Sequence, residues 1–358
     1  MLWFFFALLT LIFIFSLLSL RQSHHPIGAA LHIYICVVII LFAGLRGGDR
    51  DFFVYQEIYE ATPLINDFSL EFVRNIHGEI GYLLLSSLLK SIGLGFNFFL
   101  LAIATLSVSL IAVSTYRLSP IPLLSMAIYF SHFFILREMM QVRAGLSIAI
   151  LLYFLSSYKN IFLVFLGVII ASLFHSGALI IIPFLPFLNN RAFISFKLYL
   201  CTFILCVILG NIGFLNILLT YFSDIGLLPK AINNYIGWSL YDYKLPVFTN
   251  PVTWKAIFII YIMGKIESEV IGSFVNRLRI LYSYGLLFMV LFSDMAILAG
   301  RLSTFLFCAE NILIVWALTF CAKKKHITIL GGGVIAFMQL AYDLMILRYH
   351  DDYRVFFL

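Results

Sequence analysis

Charge is scarce in this chain of 358 residues: Asp, Glu, Lys and Arg make up 11% of it and hydrophobic residues 63%. A soluble globular domain carries about 25% charged residues, so with a mean hydropathy of +1.06 a water-exposed globule is excluded. Strict alternation of polar and apolar residues is missing as well, which excludes a closed β-barrel. The five cysteines, Cys36, Cys201, Cys206, Cys308 and Cys321, stand inside apolar segments without metal-ligand spacing, so neither a metal site nor a disulfide framework is expected. No Walker loop, dinucleotide fingerprint, zinc motif or serine-triad signature occurs, and energy for any reaction must come from the substrate itself. The net charge of +6 forms no nucleic-acid patch and reads as lysines and arginines anchoring cytoplasmic turns. No basic residue precedes the first apolar run and no small-x-small cleavage site follows it, so residues 2–20 read as retained rather than as a removable signal peptide.

What is present is a succession of apolar runs long enough to cross a bilayer as helices. The expected fold is all-α: a polytopic membrane protein with about twelve transmembrane helices plus a partial or re-entrant helix over 79–93, where Lys90 and Gly93-Leu94-Gly95 interrupt an otherwise apolar stretch. All of 1–358 is read as one transmembrane domain, and no internal repeat of the inverted-transporter kind is found. The basic turn Arg21-Gln22-Ser23-His24-His25 is expected inside, with Arg117, Lys159, Lys265, Arg277, Arg279 and Lys323-Lys324-Lys325-His326 as further inside anchors. Two hydrophilic segments then fall outside, 46–78 and 223–251. The first has the spacing of short surface helices, and the second is rich in aromatics, with Trp238, Tyr241 and Tyr243 readable as an interfacial belt or a sugar-stacking platform.

That topology gathers Arg46, Arg50, Asp51, Glu79, Arg137, Glu138, Arg143, His175, Asp294 and Arg301 at the outer ends of several helices. An arginine there is costly unless it pairs or faces a polar cavity, and its planar fork suits phosphate oxygens. Asp51 and Tyr55 are four apart and share a helical face, where Asp51 either caps the helix or acts in chemistry. Arg137 and Arg143 are six apart, so either the helix breaks near Glu138 or they line different walls, and Arg137 with Glu138 could be an internal pair. His175 sits at a small-residue break, as a packing residue or a functional one, and Asp294 with Arg301 reads equally as a structural pair.

Five segments in order, Arg46-Gly47-Gly48 with Asp51 and Tyr55, Glu79-Ile80-Gly81-Tyr82, Arg137-Glu138 with Gln141-Val142-Arg143-Ala144-Gly145-Leu146, Ala171-Ser172-Leu173-Phe174-His175-Ser176-Gly177-Ala178-Leu179, and Arg301 opening a late helix, resemble the EpsG-like family of Wzy-type O-antigen and exopolysaccharide polymerases. The resemblance implies a membrane glycosyltransferase of the C-type superfamily in the bacterial inner membrane, with its active site facing the periplasm. It would move a growing glycan from undecaprenyl diphosphate onto the non-reducing end of a new lipid-linked repeat unit. Its implied partners are those units, the lipid bilayer, a chain-length regulator and a flippase, with no nucleic acid. Undecaprenyl diphosphate belongs to the substrate, and no separate cofactor is implied, a divalent metal remaining open. Arg46, Arg143 and Arg301 are then expected on the pyrophosphate with Arg50 and Arg137 behind them, the base is Asp51, His175 or Glu79, and Tyr55, Gln141 and Asp294 support. An O-antigen ligase needs the same arginines with another acceptor. A lipid-linked oligosaccharide transporter or flippase would show two related halves.

Overall fold

A computed structural model describes residues 2–19, 26–48, 51–76, 78–189, 195–226, 244–347 and 354–355. Arg50, Trp238, Tyr241, Tyr243 and the turn at 21–25 lie outside the described residues.

The protein is an all-α polytopic membrane protein. Among the described residues, five helices are long and apolar enough to cross a bilayer: Pro26–Gly44, Phe96–Leu118, Pro122–Met140, Ser268–Leu291 and Lys325–Ile346. Two pairs bent at short breaks, Phe196–Asn211 with Phe214–Asp224 (56°) and Ala296–Leu306 with Glu310–Ala322 (67°), raise the number to seven. Shorter apolar helices such as Leu2–Leu18 and Val142–Ser157 stand beside them. At 1.5 Å per residue a helix needs about 20 residues to cross the hydrocarbon core, so the expected figure of about twelve counts these shorter elements too. The stretch around Lys90 forms the helix Ile80–Ser91, whose 12 residues are too few to span.

The chain groups into two compact units, residues 1–179 with 314–358 and residues 180–313. In the first, α1 (Leu2–Leu18), α2 (Pro26–Gly44), α3 (Phe52–Ala61), α4 (Leu70–Asn75) and α5 (Ile80–Ser91) lead to α6 (Phe96–Leu118), which packs between α2 and α8 (Val142–Ser157). Between α6 and α8, α7 (Pro122–Ile128) runs on as a π-helical stretch, Tyr129–Met140. Helix α9 (Ile161–Ser172) is followed by a 3-10 stretch, Ser176–Phe187, in which Pro183 and Pro186 remove the donors an α-helix would need.

Lipid tails are as apolar as leucine, so side-chain hydrophobicity gives little force between helices, and close packing with polar links does the work instead. The Ser156 hydroxyl donates to Ser114 (3.0 Å) between α8 and α6, and the His32 imidazole meets the Ala112 carbonyl (3.2 Å) between α2 and α6. On the helix Lys325–Ala341, a Cβ at Gly333 would lie 2.3 Å from the Phe13 ring and one at Gly332 2.7 Å from Leu124. Those glycines let that helix approach α1 and α7 more closely than any side chain allows.

The hydrophilic segment 46–78 folds as short elements, as its spacing predicts: a strand β1 (Arg46–Gly48), α3, a 3-10 turn Ile65–Asp67 and α4. Strand β1 pairs antiparallel with β2 (Arg354–Val355), so the end of the chain returns to the Arg46 loop. Lys90 is a structural charge. Its ammonium donates to the carbonyls of Glu60 and Thr62 (2.7 Å each), satisfying the C-terminal end of α3 where the macrodipole is negative. Lys90→Met keeps the stem and removes those bonds. It is expected to cost about 1–2 kcal/mol, read as a lower melting temperature in detergent, and an unchanged melting temperature removes the capping role.

In the second unit, α10 (Phe196–Asn211) is followed by α11 (Phe214–Asp224) beyond a break at Gly213, whose φ of 71° favours glycine. Helix Ser268–Leu291 packs against α10, against Pro251–Gly264 and against Ala296–Leu306. Arg277 and Arg279 are corrected here. The expected crossing starts near residue 278, whereas the helical run begins at Ser268, is broken at Gly272 (φ 75°), and carries both arginines inside the part after that kink, 4% and 2% exposed. Arg279 donates to the carbonyls of Met263 (2.6 Å) and Ile266 (2.7 Å), closing the C-terminus of the preceding helix, and Arg277 donates to Asn189 (2.6 Å). A basic residue can anchor a turn from outside or cap a helix from within, and only packing separates the two.

Candidate functional site

Glu79 is the hub of a polar site in the first unit. It stands at the N-cap of α5 without turning its carboxylate back on its own helix. Oε2 instead accepts from Arg143 Nη1 at 2.8 Å, and Oε1 accepts from the backbone N–H of Ser176 at 3.3 Å. Three segments far apart in the chain, around residues 79, 143 and 176, therefore meet on one carboxylate. What brings them so close is Gly81: its N–H donates to the Leu173 carbonyl (2.7 Å), and a Cβ there would stand 2.8 Å from that same oxygen.

Arg143 enters from the first turn of α8, with its side chain 14% exposed against 21% for Glu79. Its guanidinium carbon lies 5.8 Å from the centre of the Tyr55 ring and 5.9 Å from that of Tyr82, and the two rings are 6.0 Å from each other, so the cation rests against a pair of adjacent aromatic rings. The Tyr55 hydroxyl also bonds to Arg143. Burial holds that hydroxyl above the usual phenol range, with the Arg143 charge pulling it down and the Asp51 carboxylate adding to the rise. Tyr55 therefore keeps its proton at neutral pH, and toward Arg143, which can only donate, its oxygen accepts. Tyr82 is fully buried, and its hydroxyl has no hydrogen-bond partner among the described residues.

Asp51 sits at the N-cap position of α3, but its side chain makes no capping bond to the helix, and it lies within electrostatic range of Tyr55. Arg46 is 1% exposed, donates to the Ala43 carbonyl at 2.7 Å, and is close enough for its charge to act on Tyr55, Tyr82 and Glu138. Positions 46, 51, 55, 79 and 143 are thus brought together. The helix breaks three residues beyond Glu138: Tyr129–Met140 ends at Gln141, whose φ of −123° and ψ of 61° are not helical, and α8 starts at Val142. Arg137 donates to the Gln141 side chain across that break. Glu138 turns to Ser107 (2.6 Å) and Tyr129 (2.9 Å) instead of to Arg137, and a Cβ at Gly145 would stand 3.0 Å from its Oε2.

His175 lies on the same loop as Ser176. Its Nδ1 accepts from the Gly177 N–H at 3.0 Å, which places the proton of the neutral ring on Nε2. Arg301 and Asp294 belong to the second unit, Arg301 exposed within Ala296–Leu306 and Asp294 5% exposed just before that helix.

Several participants were not singled out from the sequence. Tyr82 was legible, three residues after Glu79 in a short motif. Ser107 and Tyr129 were not, since a serine in an apolar helix and one of 19 tyrosines carry no mark of their own. His132 and Asp343, which meet at 2.6 Å, left one signal unused: an acid inside an apolar run.

A helical bundle threaded through a membrane, with arginines, carboxylates and tyrosines gathered at helix ends, defines a polytopic membrane protein with a buried polar site. The model of the EpsG family matches residues 29–356, and the chain belongs to that family. It is also similar to the amylovoran biosynthesis protein AmsC of Erwinia amylovora, 28% identical over 292 residues that cover 77% of this chain and 75% of AmsC. No solved structure matches the chain significantly.

Proposed function

We propose that this protein is a membrane glycosyltransferase that polymerises lipid-linked oligosaccharide repeat units of a bacterial exopolysaccharide or O-antigen, working at the periplasmic face of the inner membrane. Membership of the EpsG family and the biosynthetic name of AmsC support the class. The observation that carries the reading is the meeting of Arg143 and the Ser176 amide on the Glu79 carboxylate, with the Arg143 guanidinium beside the rings of Tyr55 and Tyr82. A diphosphate leaving group needs cations and N–H donors fixed in advance, and a sugar needs flat apolar faces beside them.

In this reading the growing glycan leaves undecaprenyl diphosphate for the non-reducing end of a fresh lipid-linked unit. An acceptor hydroxyl oxygen bonds to the anomeric carbon, and the bond from that carbon to the pyrophosphate oxygen breaks with its electron pair. Arg143 and Arg46 hold the departing charge, with Arg137 of the same unit as the second choice. His175 acts best as a donor to an anionic oxygen, because its Nδ1 is committed to Gly177 and Nε2 carries the proton. Glu79 sets the Arg143 fork until the diphosphate takes its place, and Asp51 lies within electrostatic range of Tyr55 beside it. No cofactor beyond the lipid diphosphate is proposed.

The test is to incubate purified protein with synthetic lipid-linked repeat units, with and without chelator. A ladder rising by one repeat per rung is expected, and the chelator arm reads any assistance by a divalent cation. Single transfer to another acceptor without a ladder overturns the polymerase reading.

A further inference from the structure

We infer that His132, backed by Asp343, is the base that takes the proton from the acceptor hydroxyl, an inference that rests on the polymerase reading. The two side chains meet at 2.6 Å between His132 Nδ1 and Asp343 Oδ2, Asp343 with 1% of its side chain exposed and His132 with 29%. A buried carboxylate against Nδ1 fixes the ring proton there, so Nε2 carries the free electron pair. The Asp343 bond is the sole hydrogen bond of the His132 ring among the described residues, and the side chain is part-exposed. This is the reverse of His175, whose Nδ1 accepts from a backbone N–H and whose Nε2 therefore donates. Two histidines of one unit are set by their neighbours into opposite roles.

The position suits the reaction. His132 lies on the π-helical stretch Tyr129–Met140, whose hydrogen bonds join residues five apart, so His132 stands about one turn before Arg137. Asp343 lies in the short π-helical end, Tyr342–Ile346, of the helix that begins at Lys325. At 1.5 Å per residue it is about 27 Å along the axis from the basic run Lys323-Lys324-Lys325, close to the full thickness of a hydrocarbon core. Beyond it the chain returns to pair with the strand that bears Arg46. Beside the dyad, the Ser131 hydroxyl donates to Gln339 (3.1 Å), a second link that holds the two helices in register.

The step balances without a further reactant. The acceptor proton passes to His132 Nε2, the hydroxyl oxygen bonds to the anomeric carbon, and the undecaprenyl diphosphate departs with the electron pair. Asp343 carries the countercharge of the imidazolium, which returns its proton to solvent. General bases of this kind contribute about 10²–10⁴-fold.

The experiment follows polymer formation by the purified full chain. His132→Gln is expected to lower kcat about 10²–10⁴-fold with KM for the lipid-linked unit little changed, and added imidazole to restore part of the activity of His132→Ala. Normal turnover in His132→Gln, or no recovery of His132→Ala in imidazole, overturns the base role and leaves the polymerase reading standing. If the wild type makes no ladder, the polymerase reading fails, and diethyl pyrocarbonate labelling read by mass spectrometry decides the dyad by itself. His132 is expected to react in the wild type and to lose that reactivity in Asp343→Asn, where the amide imposes the other tautomer. An unreactive His132, or equal labelling in both proteins, overturns the dyad.

Discussion

Arg143→Ala is expected to yield no polymer while the protein accumulates to its normal level in the membrane. The guanidinium is held by the Glu79 carboxylate at 2.8 Å and rests against Tyr55 and Tyr82, so its removal takes away a preset cation and leaves Glu79 without its ion pair. Loss of one such stabilising group in a water-poor site lowers turnover by about 10²–10³-fold, beyond what a glycan gel resolves. With side chains 14% and 21% exposed, the pair is partly screened, and breaking it costs less stability than a fully buried pair would. Arg143→Lys separates charge from geometry: a point charge keeps the salt bridge but not the planar fork, and most of the activity should still be lost. A glycan ladder of normal length from Arg143→Ala, with immunoblots showing equal protein, removes the residue from the site.

The second large effect lies at a residue with no side chain. Gly81→Ala adds one methyl 2.8 Å from the Leu173 carbonyl oxygen and 2.9 Å from the Leu173 Cβ, and backbone cannot swing aside as a flexible side chain would. The expected cost is about 1–3 kcal/mol. Its functional effect should exceed that figure, because the displaced loop carries His175 and Ser176, and the Ser176 N–H leaves the Glu79 carboxylate. Polymer should fall sharply at growth temperature, with a lower melting temperature in detergent. Ala substitution at Gly95, where an added Cβ meets nothing within 4 Å, is the matched control. Equal behaviour of the two variants would show that the close approach at Leu173 is not what sets the site.

These two predictions also mark the boundary between what residues reveal singly and what they reveal in place. Arg143 was legible because a guanidinium in an apolar run has few affordable fates, and Arg46 for the same reason. Gly81 was legible as part of a short motif, but its task was not, since a glycine is chosen for what it lacks and the neighbour it admits lies some ninety positions on. Arg277 and Arg279 went the other way. Basic residues close to the end of an apolar run look like turn anchors, and it took the packed helix after Gly272 to bury both, Arg279 as a cap on the preceding helix and Arg277 on the Asn189 side chain.

By itself the sequence determined the solvent. Too few charges and too many long apolar runs leave a helical membrane protein as the form in which every backbone donor and acceptor is satisfied inside lipid. It also determined which residue types could do chemistry, because an ionisable group in such a chain must be paired or put to use. Only the tertiary structure decided who meets whom: that Glu79 binds Arg143 and the Ser176 amide, that Glu138 turns to Ser107 and Tyr129, and that His132 finds Asp343 far along the chain. The physical reason is range. Hydrophobicity acts on each residue where it stands and survives in composition and periodicity, whereas a hydrogen bond acts over about 3 Å and depends on the packing of helices that the local sequence does not record.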